Sequence, residues 1–322
     1  FCTNDRGQGV AWASGLFEDT AEYGYGMMLG TSAVRKWLRA EVEQLLPSAD
    51  AELQAAAEAC LAGWDDSHGT RERADRLVAA LERVDSDAAR TILQRKDYLF
   101  KPSQWIVGGD GWAYDIGYGG LDHVIALGED VNVFVIDTEV YSNTGGQSSK
   151  ATPLGAVAQF QASGKKSAKK DLGKMMMSYG NCYVASVAMG ADMNQLLKAL
   201  TEAEAYKGPS IVIGYAPCEM HGIKGTMANC QIEMKKAVDA GYWNMFRFNP
   251  DLKKAGKNPF TLDSKPASAS YRDFIMNEAR YSRLTREFPE RAEELFEKAE
   301  ETATNRYAHL LKLKEMFEPD NK

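Results

Sequence analysis

Short apolar segments alternate with longer amphipathic segments between about residues 104 and 248. The apolar segments have no polar face, as in Ile211-Val212-Ile213, which is typical of strands buried on both sides of a parallel sheet. An α/β fold with a parallel sheet and right-handed crossovers is therefore predicted. The pattern predicts strands at 104–107, 131–136, 182–188, 210–215 and 244–248, and helices at 115–127, 171–179, 192–206 and 226–240.

The segments on either side of this core are predicted to be mainly helical. A helical pattern runs from about Glu18 to Leu46, and three amphipathic segments follow at 51–64, 70–84 and 86–99. We read this helical region as a packed appendage, and the charged segment from Tyr271 to Phe317 as a helical tail used for packing or an interface. The predicted organisation is a first segment of the core domain at 1–30, a helical insertion at 31–100, an α/β core at 101–250 and a helical C-terminal tail at 251–322.

Composition and charge narrow the class of protein. The 322 residues are 44% hydrophobic and carry a net charge of −7, which argues against a nucleic-acid or anionic-membrane partner. No apolar run approaches the ~20 residues of a membrane span. The five cysteines are odd in number and have no C-x-x-C spacing, so a cytoplasmic protein with reduced thiols is expected. The chain begins at Phe1 rather than Met, which predicts processing or a part of a longer protein.

Two loops that each follow a predicted strand carry the candidate chemistry. Gly109-Asp110-Gly111 follows the first strand, and Asp137-Thr138-Glu139-Val140 follows the second, with 28 positions between Gly109 and Asp137. Ligands of open α/β sheets bind where parallel strands end. The tripeptide alone is most simply a turn, but a second polar loop at this distance makes a thiamine-diphosphate signature the better interpretation.

The oxygen atoms of these loops suit a magnesium ion that bridges to a diphosphate. The carboxylate of Asp110, the hydroxyl of Thr138 and the carbonyl of Val140 would, with two diphosphate oxygens and a water, complete six ligands. Glu139 is a further ligand or a partner for a nearby lysine. Asn143, just beyond, is either a donor to a substrate carboxylate or keto oxygen, or a turn residue.

Three other features are ambiguous in the sequence. Cys218 lies past the apolar run that ends at Ala216, at the same predicted sheet edge, although a lone cysteine is usually a small buried residue. His221 follows on that loop and either touches a ligand or packs. The lysine-rich run 164–170 suits phosphates or a carboxylate, but a solvated surface segment is the favoured interpretation.

From about Arg6 to Glu315 the chain resembles the C-terminal thiamine-diphosphate-binding part of the pyruvate:ferredoxin (flavodoxin) oxidoreductase family. The run from Asp137 to Pro153 carries the most specific part of this resemblance, and it looks more like the pyruvate branch than other 2-oxoacid branches. Further matching stretches are Gly9 to Ala13 with Leu16 to Asp19, Gly108 to Gly120, Lys170 to Leu172, Tyr215 to Cys218, Gly241 to Trp243 and Gly256 to Phe260.

The resemblance implies residue roles. Asp110, Thr138 and the Val140 carbonyl would hold Mg²⁺, and Cys218 would be the last ligand of a [4Fe–4S] cluster near the thiamine ring. Asn143 would face the substrate pyruvate. The residues implied to bind the cofactor are Gly109, Asp110, Gly111, Trp112, Thr138, Val140, Thr144, Gly145 and Gln147.

The implied reaction is oxidative decarboxylation of pyruvate, with coenzyme A taking the acetyl group and ferredoxin or flavodoxin taking the electrons. The other three ligands of that cluster, the glutamate that activates the cofactor and the two further clusters have no counterpart here. The chain is therefore expected to need the remaining N-terminal domains, to be inactive alone and to form a homodimer in the enzyme.

A non-redox thiamine-dependent decarboxylase and a non-catalytic cofactor-holding subunit stay open as alternative functions, and iron content separates them from the redox interpretation. A plain nucleotide-binding Rossmann domain is disfavoured, since the first loop lacks Gly-x-Gly-x-x-Gly.

Overall fold

The computed structural model describes residues 7, 9 and 11–318. Cys2 and much of the start of the predicted first segment lie outside the described residues. The chain forms two compact units: one comprises residues 24–104, and the other is built from the flanking parts of the chain, up to Tyr23 and from Trp105 onward.

The unit of residues 24–104 is a helical assembly around its own apolar core. Leu38, Leu77 and Leu81 are completely buried at its centre. A side chain caps the start of one of its helices, because Asp50 accepts a hydrogen bond from the Leu53 N–H. The helices are α1 (Thr20–Leu45, which begins in the other unit), α2 (Ala51–Ala62), α3 (Thr70–Leu81) and α4 (Asp87–Leu93), with short 3₁₀ turns at Leu46–Ser48 and Lys96–Tyr98.

The other unit contains a six-stranded, mostly parallel sheet, which confirms the predicted α/β class. Its order is β1-β2-β6-β5-β7-β8, and a separate two-stranded hairpin is formed by β3 and β4. The strands are β1 (Trp105–Gly109), β2 (Asn132–Asp137), β3 (Val140–Tyr141), β4 (Gln147–Ser148), β5 (Tyr183–Val187), β6 (Ser210–Tyr215), β7 (Phe246–Phe248) and β8 (Phe260–Leu262).

The direction of β7 corrects a sequence prediction. The segment 244–248 was expected to be a parallel strand, but β7 runs antiparallel to β5 and pairs with β8 as a second antiparallel neighbour. β8 itself lies in the range that was predicted as a helical tail. A short apolar strand looks the same in either direction, so the pattern of residues does not determine which way it runs.

Helices cover the sheet, and a π-helical turn that was not predicted precedes one of them. The helix predicted at 115–127 is preceded by a π-helical turn, Gly111–Ile116, closed by the bond from the Gly117 N–H to the Trp112 carbonyl (2.9 Å). The remaining helices are α5 (Tyr118–Ala126), α6 (Leu172–Met177), α7 (Met193–Ala205), α8 (Cys230–Asp239), α9 (Pro250–Lys254), α10 (Tyr271–Ile275), α11 (Ala279–Glu287) and α12 (Pro289–Met316).

The register of the parallel strands brings the candidate loops to one edge. Gly109 at the end of β1 pairs with Ile136 of β2, and Asp137 at the end of β2 pairs with Tyr215 at the end of β6. The loops that follow these three strands therefore start side by side, although they are far apart in sequence.

The approach of α8 to the loop before α7 requires a glycine. A Cβ at Gly190 would lie 2.2 Å from the Gln231 carbonyl oxygen, a backbone atom that cannot swing away. We expect Gly190→Ala to reduce the free energy of unfolding by about 1–3 kcal/mol in urea titrations. Gly119→Ala, on a helix with no atom within 4 Å of the added carbon, should leave it unchanged or higher. Equal losses in the two variants would contradict this packing.

Candidate functional site

Asp110 lies at the centre of the edge formed by these loops. Its carboxylate is 1% exposed. One oxygen accepts hydrogen bonds from the Thr138 N–H (3.1 Å) and hydroxyl (2.8 Å), and the other accepts from the Ser149 hydroxyl (2.6 Å). The first predicted loop is thus joined directly to the second.

The three oxygens that were predicted to bind magnesium are linked through the Thr138 hydroxyl. The Thr138 hydroxyl oxygen lies 2.8 Å from an Asp110 oxygen and 3.0 Å from the Val140 carbonyl oxygen. Neighbouring ligands in an octahedral Mg²⁺ site, with Mg–O distances of 2.0–2.1 Å, are about 2.9 Å apart. The spacing and the all-oxygen chemistry of the donors therefore fit a magnesium ion.

The Asp110 carboxylate accepts hydrogen bonds from amide and hydroxyl groups and from no basic side chain among the described contacts. Burial, and next the negative charge of Asp137, raise the pKa of Asp110 to about 7, against the opposing hydrogen bonds from Ser149 and Thr138. A cation at this carboxylate would favour its charged form, so the electrostatics agree with the geometry.

The glycines around Asp110 differ in what they make possible. A Cβ on Gly111 would meet the Tyr141 ring at 2.6 Å, so Gly111 is needed for packing. A Cβ on Gly109 would have only the Ile136 carbonyl oxygen near it, at 3.9 Å, so the chain itself leaves room there. The ring of Trp112 is completely buried against Gly108 and Gly117, so its side chain is part of the core, and its predicted contact with a cofactor stays a prediction.

A buried ammonium holds the second loop, residues 137–140, which we call the acidic loop. Lys169 Nζ lies 2.8 Å from an Asp137 oxygen and 3.1 Å from a Glu139 oxygen, so one cation bridges the residues on either side of Thr138. Burial alone would lower the pKa of Lys169, but these two carboxylates raise it above its ordinary value. Lys169 therefore stays charged.

Arg280 extends this network on the far side of Glu139. Its guanidinium donates to Glu139 (2.8 Å) and to Glu278 (2.7 Å). Burial by itself would raise the pKa of Glu139, but Lys169 and Arg280 outweigh it and lower that pKa to about 2. Of the two roles considered for Glu139, the structure has the lysine partner, and Glu139 adopts a left-handed backbone at φ 61°.

The network corrects the interpretation of the lysine-rich run and includes residues that the sequence did not indicate. The Lys169 side chain is 15% exposed, and Lys165 is buried and donates to the Ser149 carbonyl (2.6 Å), so the run is not a wholly solvated segment. Arg280 lies 141 residues from Glu139 in sequence. The residues next to Arg280 or Glu139 in the sequence do not predict that these two side chains form a pair.

The other predicted cofactor residues lie on the turn of the β3–β4 hairpin. Asn143, Thr144 and Gly145 are exposed there. Thr144 and Gln147 bond to each other, through their side chains and from the Gln147 amide to the Thr144 carbonyl (2.9 Å). These contacts close the turn and do not join it to Asp110.

Cys218 and His221 lie beside the acidic loop. Cys218 is 5% exposed, and its sulfur lies 2.9 Å from the Ser142 hydroxyl. His221 is completely buried, with Nε2 2.8 Å from the Thr138 carbonyl oxygen. In the part of the chain that the structure describes, no group of three or more His, Cys, Asp or Glu side chains is arranged to hold a metal. A cluster at Cys218 would need ligands from elsewhere.

Comparison with known proteins adds to this geometry. Residues 99–213 match the family described as thiamine pyrophosphate enzyme, C-terminal TPP binding domain. The pyruvate:ferredoxin oxidoreductase of Moorella thermoacetica is 55% identical over 98% of this chain. The predicted resemblance is confirmed. The pyruvate-flavodoxin oxidoreductase of Klebsiella pneumoniae is 54% identical over 97% of the chain.

Both of these relatives are much longer than this chain. The chain spans 27% of the length of each of these two relatives. The match to a solved 2-oxoglutarate:ferredoxin oxidoreductase from Magnetococcus marinus covers 40% of this chain and 44% of that one, at 23% identity and a TM-score of 0.35. Asp110, Thr138 and Val140 all fall within the matched range 99–213.

No helix among the described residues is long and apolar enough to cross a membrane.

Removing the bridging ammonium should unfold the acidic loop. Lys169→Met leaves Asp137 and Glu139, which are 0% and 1% exposed, without their shared cation. We expect the free energy of unfolding at pH 7 to fall by about 3–5 kcal/mol in urea titrations, because an unpaired buried charge is costly. Lys166→Met, at an exposed position of the same run, should change it by less than about 0.5 kcal/mol. A Lys169→Met variant as stable as Lys166→Met would contradict the role of the bridge.

Proposed function

We propose that this chain is the thiamine-diphosphate- and Mg²⁺-binding part of an enzyme that oxidatively decarboxylates pyruvate to acetyl-CoA and CO₂. The observation that carries the proposal is the contact of the Thr138 hydroxyl oxygen with an Asp110 oxygen (2.8 Å) and with the Val140 carbonyl oxygen (3.0 Å), inside the range that matches a thiamine-diphosphate-binding domain. The substrate follows the names of the relatives, which are pyruvate oxidoreductases.

Each part of the site has a distinct task in this proposal. Asp110, Thr138 and the Val140 carbonyl hold Mg²⁺, and the open backbone at Gly109 lets the diphosphate approach closely. Asn143, exposed on the hairpin turn, faces the substrate. Bound thiamine diphosphate supplies the electron sink that decarboxylation needs.

The redox part of the proposal rests on Cys218. Its thiol lies next to Ser142, two residues beyond the Val140 carbonyl, so a [4Fe–4S] cluster bound there would be close to the cofactor edge. The remaining cluster ligands, the ferredoxin or flavodoxin contacts and the coenzyme A site belong, in this proposal, to further domains of a longer enzyme. The homodimer and the cytoplasmic location stay predictions.

The activity is tested anaerobically on the purified protein that contains this chain. We expect reduction of a viologen dye that requires pyruvate, coenzyme A, Mg²⁺ and thiamine diphosphate together, and that is lost in Asp110→Asn. No reduction in a preparation that holds iron and thiamine diphosphate would overturn the pyruvate assignment. Absence of iron, with thiamine diphosphate still bound, would favour a non-redox decarboxylase or a non-catalytic cofactor-holding fragment.

Two glycine variants separate cofactor binding from folding. Gly109→Ala should fold normally, because the chain leaves space for the added carbon, yet bind Mg²⁺–thiamine diphosphate at least about tenfold more weakly if the diphosphate approaches there. Gly111→Ala should lower the melting temperature, because the carbon meets the Tyr141 ring. Calorimetric titration and thermal unfolding measure both effects. Unchanged cofactor affinity in a folded Gly109→Ala protein would place the diphosphate elsewhere.

A further inference from the structure

The turn that follows Cys218 carries a histidine in a defined position. The 3₁₀ turn Glu219–His221 begins directly after Cys218, and the His221 N–H donates to the Cys218 carbonyl (3.0 Å). The Met220 N–H points to the Cys218 sulfur (3.5 Å). The distance between the cysteine and the imidazole is therefore determined by one closed turn.

The imidazole reaches the acidic loop rather than solvent. Its Nε2 lies 2.8 Å from the Thr138 carbonyl oxygen, and because a carbonyl only accepts, Nε2 carries the hydrogen. The ring is completely buried and stacks on Tyr215, with Nδ1 3.5 Å from a Glu278 oxygen. A hydrogen bond in such surroundings is costly to lose, because water cannot replace it.

This bond completes the restraint on Thr138. The N–H and hydroxyl of Thr138 both donate to Asp110, and its carbonyl accepts from His221. The hydroxyl faces the candidate magnesium position, so its location depends on how the backbone of the same residue is held. Asp110 therefore restrains the N–H and the hydroxyl of Thr138, and His221 restrains its carbonyl.

We propose that His221 is a positioning residue, whose Nε2–H holds the Thr138 carbonyl and thereby sets the Thr138 hydroxyl and the Val140 carbonyl for Mg²⁺ while tying the acidic loop to the Cys218 turn. This inference rests on the proposed function, because it assumes that these oxygens bind the metal. A histidine that merely fills space would be replaceable by another buried side chain without an effect on metal affinity.

The test compares variants that differ in the reach of one donor. His221→Leu removes the N–H, and His221→Asn carries an amide one methylene too short to reach Thr138. His221→Gln places an amide nitrogen near the position of Nε2. Tyr215→Phe is the matched control: it keeps the buried ring that stacks on His221 and removes a hydroxyl whose hydrogen-bond partner is Glu278 (3.5 Å). The purified protein containing the full chain is titrated with Mg²⁺ at saturating thiamine diphosphate, followed by calorimetry.

We expect half-saturation at about tenfold higher Mg²⁺ in His221→Leu and His221→Asn, as the loss of one buried hydrogen bond implies. His221→Gln should stay within about threefold of the unmodified protein, and Tyr215→Phe should not change. Should the leucine variant fail to fold, the Asn–Gln pair decides. Unchanged Mg²⁺ affinity in the Asn variant, or equal weakening by Asn and Gln, would overturn the positioning role. Absence of Mg²⁺-dependent cofactor binding in the unmodified protein would instead sink the proposed function, and this inference with it.

Discussion

The candidate site depends on the ion pairs that the Lys169 ammonium group forms with Asp137 and Glu139. Asp137 and Glu139 are both buried, and they lie on either side of Thr138, the residue whose hydroxyl is proposed to bind the metal. Two carboxylates this close would repel each other strongly away from water. The shared Lys169 ammonium offsets that repulsion by pairing with both carboxylates, and this pairing holds the acidic loop in its conformation.

The same network leaves the site deficient in positive charge. Lys169 and Arg280 neutralise part of a buried set of four carboxylates, those of Asp110, Asp137, Glu139 and Glu278. Asp110 bonds to hydroxyl and amide groups instead of a basic side chain. Burial, and next the negative charge of Asp137, raise its pKa to about 7. A divalent cation at Asp110, as proposed, would relieve this deficit of positive charge.

The sheet explains why such distant residues meet. The parallel strands β1, β2 and β6 end at the same edge, so Asp110, Thr138 and Cys218 start from neighbouring positions although more than a hundred residues separate the first from the last. Helix α11, which contains Arg280, and the segment before α6, which contains Lys169, bring both cations to the acidic loop at this edge. The order of the strands thus places the candidate metal ligands, and the packing of other elements places the basic residues that support them.

By itself the sequence determined the α/β class, most of the strands and helices, and the three metal-ligand candidates, because each depends on short-range periodicity or on residues next to a strand end. The direction of β7, the burial of Lys169 and the pairing of Arg280 with Glu139 were decided only by the tertiary structure. A strand's pattern is the same in both directions, and a lysine in a charged run looks solvated until its carboxylate partners are known. Contacts between residues 30 to 141 positions apart leave no trace in the local sequence, since they arise only when separate elements pack together.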